Sequence, residues 1–387
     1  MKKRTIEKRI GHRNQETNQS KAANLDSEVG SPSPKASKKK DSRIRILSFI
    51  GRMWAWLFLG LLIFVFSFSK GFFQLGNFQA VLANNAILLV LALGQTFVII
   101  SGGIDLSTGF AMGLASVTAS IVMRSFPKDT NLIVVILAGF LICIFIGVII
   151  GLINGTLVSH LKVPPFIATL GTLSIARGIG YILSGGPPVS VNITGVGHLG
   201  NGYVFYFHPS TKMNYFNLPD SITGAALREV VSILPFQLIY IAILLFMMIW
   251  ILSKTKFGQH VYAIGGSQIA ALRAGIPVNK ILIKVYILSS LMAAISGFLY
   301  ILRYTGGVAD AGDALNLSSI AAIVIGGASL MGGEGSMIGT LVGTLIIAVI
   351  QNGLIIIGVD PFWQYVAVGV IIIMAVLIDQ IKAKVLS

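Results

Sequence analysis

The sequence contains few charged residues and almost no cysteine. Asp, Glu, Lys and Arg make up 11% of the 387 residues, whereas hydrophobic residues make up 55%. A soluble domain of this length could not remove that much apolar surface from water, so the composition excludes most soluble classes. Cys143 is the sole cysteine and lies in an apolar run, which excludes an internal disulfide and indicates a small packing residue.

Sequence motifs for nucleotide, metal and thiol chemistry are absent as well. The chain has no G-x-x-x-x-G-K-[ST] stretch, no HExxH and no CxxC. The histidines are scattered and do not form a cluster. These are His12, His160, His198, His208 and His260. We therefore predict a chain that is not an enzyme, that holds no metal or cofactor of its own, and that depends on a partner for any use of ATP.

Long apolar runs are present instead. Several exceed roughly 18 residues, which is enough for a helix to cross a hydrocarbon core of about 30 Å. They do not alternate between polar and apolar residues as the strands of a membrane barrel would. We predict an all-α polytopic membrane protein with about ten transmembrane helices. The predicted spans are roughly 53–69, 81–101, 107–124, 131–158, 165–184, 233–252, 281–302, 318–331, 336–357 and 362–379, with a polar segment over 185–232.

Positive charge is concentrated at the N-terminus. Thirteen of the 29 Lys and Arg residues lie in positions 1–46, a segment with few apolar residues. We predict a disordered basic cytoplasmic tail over 1–46, followed by a transmembrane domain over 47–387. Together with an even number of spans, the charge bias places both termini in the cytoplasm. A role of the tail in binding lipid or a partner remains an alternative.

Two stretches combine apolar residues with clustered glycines. They are "VIISGGIDLSTG" and, about 224 residues later, "AIVIGGASLMGGEGS". Glycine can end a helix within a few residues, so we predict broken or re-entrant helices here and a possible internal repeat, with chance similarity as the alternative. The candidate residues of the core turns and translocation path are Gly102, Gly103, Asp105, Ser107, Gly326, Gly327, Gly332 and Gly333. Asp105 is either the cap of the next helix or a residue of the path.

Arg177 lies inside the predicted span 165–184 and joins the candidate path. A guanidinium that faces lipid is costly, so we expect Arg177 to face the protein interior, with Asp105 as a candidate partner. Snorkelling toward the outer interface is the alternative.

A loop between two spans contains "YAIGGSQIAALRAGI". Ser267 is a candidate helix cap, and Gly275 is a candidate stop, so about two helical turns are predicted between them. The small side chains of this short helix allow close approach to a soluble partner. An interfacial helix without a partner is the alternative. The candidate docking residues are Gly265, Gly266, Ser267, Ala270, Ala271 and Gly275.

Four motifs together closely resemble the permease subunits of ribose-type monosaccharide ABC importers. They are "ALGQTFVIISGGIDLSTG", "VPPFIATLGTLSIARGIGYILSGG", "YAIGGSQIAALRAGI" and "IAAIVIGGASLMGGEGSMIGTLVG". They occur in the order that the family shows, and the resemblance covers most of residues 75–380. This chain departs from the family at Ser267-Gln268, where Asn-Glu is common, and at Ala274, where Ser is common.

The resemblance implies a permease domain of the bacterial inner membrane that imports a monosaccharide such as ribose or galactose. It implies a second permease subunit, in a homodimer or a heterodimer, a cytoplasmic ATPase that binds the ATP, and an extracytoplasmic sugar-binding protein. It assigns the helix Ser267–Gly275 to ATPase docking. A nucleoside or a furanone-type signal remains an alternative substrate, a branched-chain amino acid ranks behind these, and an ion-coupled secondary transporter is the alternative of a different class.

Overall fold

The computed structural model of the protein describes residues 53–219, 222–360 and 362–386. The basic tail predicted over 1–46 lies outside these residues. In chain order the helices are α1 Met53–Ser67, α2 Leu75–Ile100, α3 Thr108–Arg124, α4 Leu132–Ser159, α5 Pro165–Ser184, α6 Val196–Asn201, α7 Phe236–Lys254, α8 Lys256–Gly266, α9 Gln268–Arg273, α10 Val278–Tyr304, α11 Asp313–Ile325, α12 Met337–Ile356 and α13 Trp363–Leu386.

Six of the described helices, α2, α4, α5, α7, α10 and α12, are long and apolar enough to cross a membrane, judged by length and composition. Three shorter helices, α1, α3 and α11, are also apolar. The prediction of an all-α polytopic membrane protein is thereby confirmed. The number of ten crossings stays a prediction.

Helix α10 occupies the centre of the bundle and packs against α2, α3 and α4. Close packing follows from glycines at the contacts between these helices. A side chain on Gly151 of α4 would overlap the backbone of Ile287, and one on Gly297 of α10 would overlap the carbonyl of Met112 in α3. Small residues at helical spacing let backbones approach in this way, and they fix which faces of the helices meet.

The segment after α5 is folded, whereas the sequence analysis predicted only a polar segment over 185–232. Strands β2 Tyr203–His208, β3 Lys212–Tyr215 and β4 Val231–Pro235 form an antiparallel sheet in the order β3–β2–β4. Aromatic side chains support the pairing, since Phe205 lies opposite Tyr215 and their rings meet edge to face at 5.6 Å. The aromatic and β-branched residues of "YVFYFH" are the strand signal that the polar composition of the surrounding segment concealed.

The bundle has two ends that are separated by the length of α7. Strand β4 leads directly into α7, and α8 and α9 follow it, so the sheet and the α8–α9 pair lie at opposite ends. A short strand pair closes the sheet end, β1 Val189–Ser190 with β5 Gly306–Gly307. We refer to the two as the sheet end and the α8–α9 end.

Candidate functional site

The first glycine-rich stretch breaks the bundle between α2 and α3, as predicted. Helix α2 ends at Ile100, and Gly102 adopts a φ of +81°, a left-handed conformation that favours glycine. The chain then runs without regular structure until α3 begins at Thr108. We call residues 101–107 the first break.

Asp105 is buried in the first break, with 2% of its surface exposed, and its carboxylate connects this break to α10. Oδ1 accepts hydrogen bonds from the backbone N–H of Ser107 at 2.9 Å and from the Ser107 hydroxyl at 2.6 Å. Oδ2 accepts from the hydroxyl of Ser289 in α10 at 2.9 Å. The carboxylate therefore fixes the entry into α3 and ties it to the central helix.

The same chain of hydrogen bonds continues into α4 and α5. Asn154 of α4 donates to the Ser107 hydroxyl at 2.8 Å, and Thr172 of α5 donates to the side-chain carbonyl of Asn154 at 2.7 Å. All these side chains are buried, and such bonds between transmembrane helices stabilise their relative positions.

A second buried network connects the first break to α2 and α11. Gln95 donates to the backbone carbonyl of Asp105 at 2.9 Å and to Asn316 of α11 at 3.1 Å. Asn316 in turn donates to the carbonyl of Leu106 at 2.7 Å. The sequence analysis missed Gln95, Asn154 and Asn316. Amide side chains inside apolar spans were the signal that could have identified them.

The second break differs in position from the expectation. The sequence predicted a span over about 318–331 that ends at "GGEGS", but α11 starts at Asp313 and ends at Ile325. The helix stops before Gly326 because Gly327 takes a left-handed φ of +93°. Helix α12 begins at Met337. We call residues 326–336 the second break.

Both breaks meet at the end of α8. The backbone N–H of Gly333 donates to the carbonyl of Ile100 at 2.8 Å. A side chain on Gly265 would overlap that same carbonyl and the N–H of Gly333. On Gly332 it would come within 2.9 Å of the Gly102 backbone and of the Gly265 carbonyl. We call this contact of three backbone segments the glycine junction.

A tyrosine of α8 also holds the second break. The Tyr262 hydroxyl donates to the carbonyl of Gly335 at 2.7 Å. Burial raises the pKa of this phenol further above neutral pH, so the hydroxyl is protonated and can donate. Helix α8 is thus joined to both breaks by backbone contact and by one side chain.

The α9 helix has the predicted length and cap. It runs over Gln268–Arg273, the Ser267 hydroxyl accepts from the N–H of Ala270 at 3.2 Å, and Gly275 follows with a φ of +81°. One expectation needs correction, because Ala271 does not present a small surface to a partner. It is 4% exposed and faces the bundle.

Larger apolar residues form the outward face of α9. Ile269 is 68% exposed and Leu272 is 65% exposed. Both line a groove of about 510 Å³, in which Lys162 and Lys280 supply positive charge. Apolar side chains ringed by cations form a surface that suits a protein partner with matching negative charge.

Arg177 does not pair with Asp105. The carboxylate oxygens of Asp105 are occupied by Ser107 and Ser289, and Arg177 is exposed on α5. Its guanidinium lies 5.2 Å from the ring centroid of Phe110. The hypothesis of an interior ion pair with Asp105 is wrong, and the aromatic contact replaces it.

Within the described residues, no group of three or more His, Cys, Asp or Glu side chains is placed to hold a metal ion. The glycine junction offers mechanical coupling between backbone segments, and the α9 face offers a docking surface. The buried networks place polar hydrogen-bonding groups along the bundle. None of these features indicates covalent chemistry.

Comparison with protein families gives one family model, described as the permease component of branched-chain amino acid transport systems, which matches residues 77–376. Among curated proteins, the ribose import permease of Bacillus subtilis is 37% identical over 329 residues, covering 84% of this chain and 92% of that protein. No solved structure matches.

Two further relatives are named for other sugars. The galactose/methyl galactoside import permease of Haemophilus influenzae is 35% identical over 324 residues, covering 80% of this chain and 88% of that protein. The xylose transport system permease of the same organism is 35% identical over 344 residues, covering 80% of this chain and 90% of that protein. The resemblance drawn from the four motifs is confirmed.

Proposed function

This chain belongs to the family of permease components described for branched-chain amino acid transport systems, and from that premise we propose that it imports a monosaccharide. An ATPase subunit drives the transport, and an extracytoplasmic binding protein delivers the sugar. Support for the sugar comes from the relatives, which are named for ribose, galactose and xylose. The family description names amino acids, so a branched-chain amino acid is the substrate that the experiment must test against sugar.

The glycine junction is the observation that carries the ATP-driven part of this proposal. An importer without its own phosphate-binding loop must receive motion from an ATPase through its cytoplasmic surface. Helix α8 meets both breaks through backbone, where Gly265 lies against Ile100 and Gly333 with no side chain between them. Because packed backbones cannot compress, a displacement of α8 exerts force on the backbone of both breaks.

The ATPase docks on α9 in this proposal, and the α8–α9 end lies in the cytoplasm. Ile269 and Leu272 insert into the ATPase surface, and Lys162 and Lys280 face acidic residues there. With this orientation the sheet end faces outward, where the binding protein delivers its sugar. A second permease subunit completes the pathway.

The test of the substrate is uptake into proteoliposomes that contain the permease, the ATPase and the binding protein of the same system. We expect ATP-dependent uptake of labelled ribose, galactose or xylose that requires all three components. ATP-dependent uptake of leucine or adenosine in place of a sugar would overturn the substrate assignment. Sugar uptake without the ATPase, driven by an ion gradient, would overturn the importer mechanism.

The test of the docking surface uses a matched pair of substitutions. Ile269→Glu places a charge at the centre of the proposed contact, and we expect the ATPase to be lost on co-purification. Met213→Glu makes the same kind of change at the sheet end, where Met213 is 47% exposed, and should leave co-purification intact. Equal retention of the ATPase by both variants would exclude α9 as the contact.

A further inference from the structure

A small polar and aromatic cluster lies near the sheet end of α5. The Arg177 guanidinium stands 5.2 Å from the Phe110 ring centroid and 6.0 Å from that of Tyr181. The Tyr181 hydroxyl donates to Oδ2 of Asp310 at 3.2 Å. We call Arg177, Tyr181 and Asp310 the outer cluster.

The outer cluster does not suit a lipid environment. Arg177 is exposed and lies seven residues before Ser184, the last residue of α5, which is roughly 10 Å along the helix axis. Among the described residues, no carboxylate lies within ion-pair distance of Arg177. A guanidinium so placed is costly in hydrocarbon, so this flank of α5 faces water or protein. Lipid can contact the opposite flank, which presents Ile175 and Ile179.

The chemistry of the outer cluster matches a neutral polyol. Sugar hydroxyls both donate and accept hydrogen bonds, and the cluster offers guanidinium donors on Arg177 and carboxylate acceptors on Asp310. The ring of Tyr181 adds an apolar face for the C–H side of a sugar ring. A few convergent polar groups beside aromatic surface are typical of small-molecule sites.

The backbone holds the carboxylate of the cluster in a fixed place. Asp310 lies in the turn before α11, where Gly312 packs directly on the backbone of Gly109 in α3 and Ala309 lies against Gly113. The position of Asp310 is therefore set by rigid helices, as accurate recognition requires.

Helix α11 connects the outer cluster to the glycine junction. It begins at Asp313, three residues after Asp310, and its 13 residues extend about 20 Å to Ile325 and the second break. A molecule held at the outer cluster thus contacts one end of the helix whose other end the ATPase moves.

We propose that the outer cluster is a sugar-contact station in the outer part of the translocation pathway, where Arg177, Tyr181 and Asp310 bind the hydroxyls of the passing monosaccharide. This inference rests on the proposed function, because it assumes that a sugar is transported. It adds a recognition step that the permease performs itself, after the binding protein has released its ligand.

Transport of deoxy sugars tests the proposal. The same binding protein serves every variant, so a changed preference between the imported sugar and its monodeoxy analogues is due to the permease. We expect Arg177→Gln and Tyr181→Phe each to reduce the discrimination against at least one analogue by about tenfold, because a hydroxyl-binding group has been removed. Ser174→Ala, one turn away on α5, and Tyr215→Phe, in the sheet, should stay within about twofold of wild type.

The outcomes separate the two proposals. If the wild-type system imports no sugar, the proposed function fails. If it imports sugar but the outer-cluster variants discriminate as wild type does, only the sugar-contact station fails. A third outcome is that the subunits of an outer-cluster variant separate on size exclusion, while the remaining complex discriminates between the sugar and its deoxy analogues as wild type does. That result would identify the cluster as a subunit contact and would also overturn the proposal.

A cysteine variant keeps the proposal testable if those substitutions prevent folding. Cys143 is buried, so Asp310→Cys introduces an accessible thiol. We expect sugar delivered by the binding protein to slow the reaction of this thiol with a charged reagent at least threefold, with the reaction of Met213→Cys as control. Equal rates with and without sugar would overturn the proposal.

Discussion

The two breaks have similar sequences and different surroundings. Each follows an apolar helix that stops at a Gly-Gly pair, and each leads into another apolar helix. Asp105 of the first break is 2% exposed, whereas Met331 of the second break is 86% exposed. Similar glycine patterns therefore end helices in both places, while the surroundings of these two side chains differ.

Side-chain hydrogen bonds account for the difference. The carboxylate of Asp105 accepts three hydrogen bonds, and Gln95 and Asn316 donate to the backbone carbonyls of Asp105 and Leu106. The second break donates a hydrogen bond from Gly333 to the Ile100 carbonyl of α2, and α8 holds it through the close packing of Gly265 on Gly333 and the Tyr262 hydrogen bond. Side chains from several helices thus anchor the first break within the bundle, whereas the side-chain contact of the second break comes from α8, the helix that precedes the α9 docking surface of the proposed function. We infer that the first break is the fixed point and the second the moving one.

The largest expected effect is at Asp105. Asp105→Ala leaves the hydroxyls of Ser107 and Ser289 without their acceptor in a buried site, and each unsatisfied group costs about 1–3 kcal/mol. We expect a loss of roughly 3 kcal/mol in stability, measured as a lower apparent melting temperature in detergent. Asp129→Ala, at an exposed loop position, is the control and should change the melting temperature little. Equal losses in the two variants would contradict an anchoring role.

The next effect concerns the glycine junction. Gly265→Ala places a methyl group against the Ile100 carbonyl and the Gly333 N–H, so the breaks must separate from α8. Overpacking of this kind costs about 1–3 kcal/mol, and we expect transport per ATP hydrolysed to fall at least tenfold. Gly266→Ala is the matched control, since open space surrounds Gly266. Wild-type coupling in the Gly265 variant would show that the junction transmits nothing.

Two adjacent serines of α10 are expected to differ in their effect on stability, and this effect is smaller than those above. Ser289 donates to Asp105, whereas the hydroxyl of Ser290, also buried, has no hydrogen-bond partner among the described residues. We expect Ser289→Ala to cost about 1 kcal/mol and Ser290→Ala to be neutral or stabilising, because it removes an unsatisfied polar group. Melting temperatures in the same detergent measure both. A larger loss at Ser290 than at Ser289 would contradict the anchoring of the first break.

Local sequence signals predicted much of this arrangement. Clustered glycines marked both breaks, and the cap at Ser267 and the stop at Gly275 defined α9, because these features depend on neighbouring residues alone. The inward direction of Ala271 and the partners of Asp105 depend on packing between distant segments, which no local pattern encodes. The end of α11 was misplaced because two glycine pairs follow each other in the sequence. The helix ends before the first pair, where Gly326 packs directly on the backbone of Gly339 in α12, a contact that no local pattern encodes.

The small sheet was missed for a different reason. Its polar and glycine-rich composition indicated loop, while the aromatic pairs that hold it lie in strands only four to six residues long. Short strands carry too few residues for alternation to stand out from their surroundings. The outer cluster likewise combines residues from α5 and from the turn before α11, more than 100 positions apart in sequence.

The smallest expected effect on stability is at Met331, and it tests the moving break directly. Met331 is almost fully exposed, so Met331→Cys should change stability by less than about 0.5 kcal/mol. Since Cys143 is buried, a fluorophore attaches to the new thiol alone. We expect its emission to change when the assembled ATPase binds a non-hydrolysable ATP analogue, because α8 carries the second break with it. Ile104→Cys labels the first break and should respond much less. An equal response at both positions would mean that the two breaks move as one body, and the distinction between a fixed and a moving break would then be wrong.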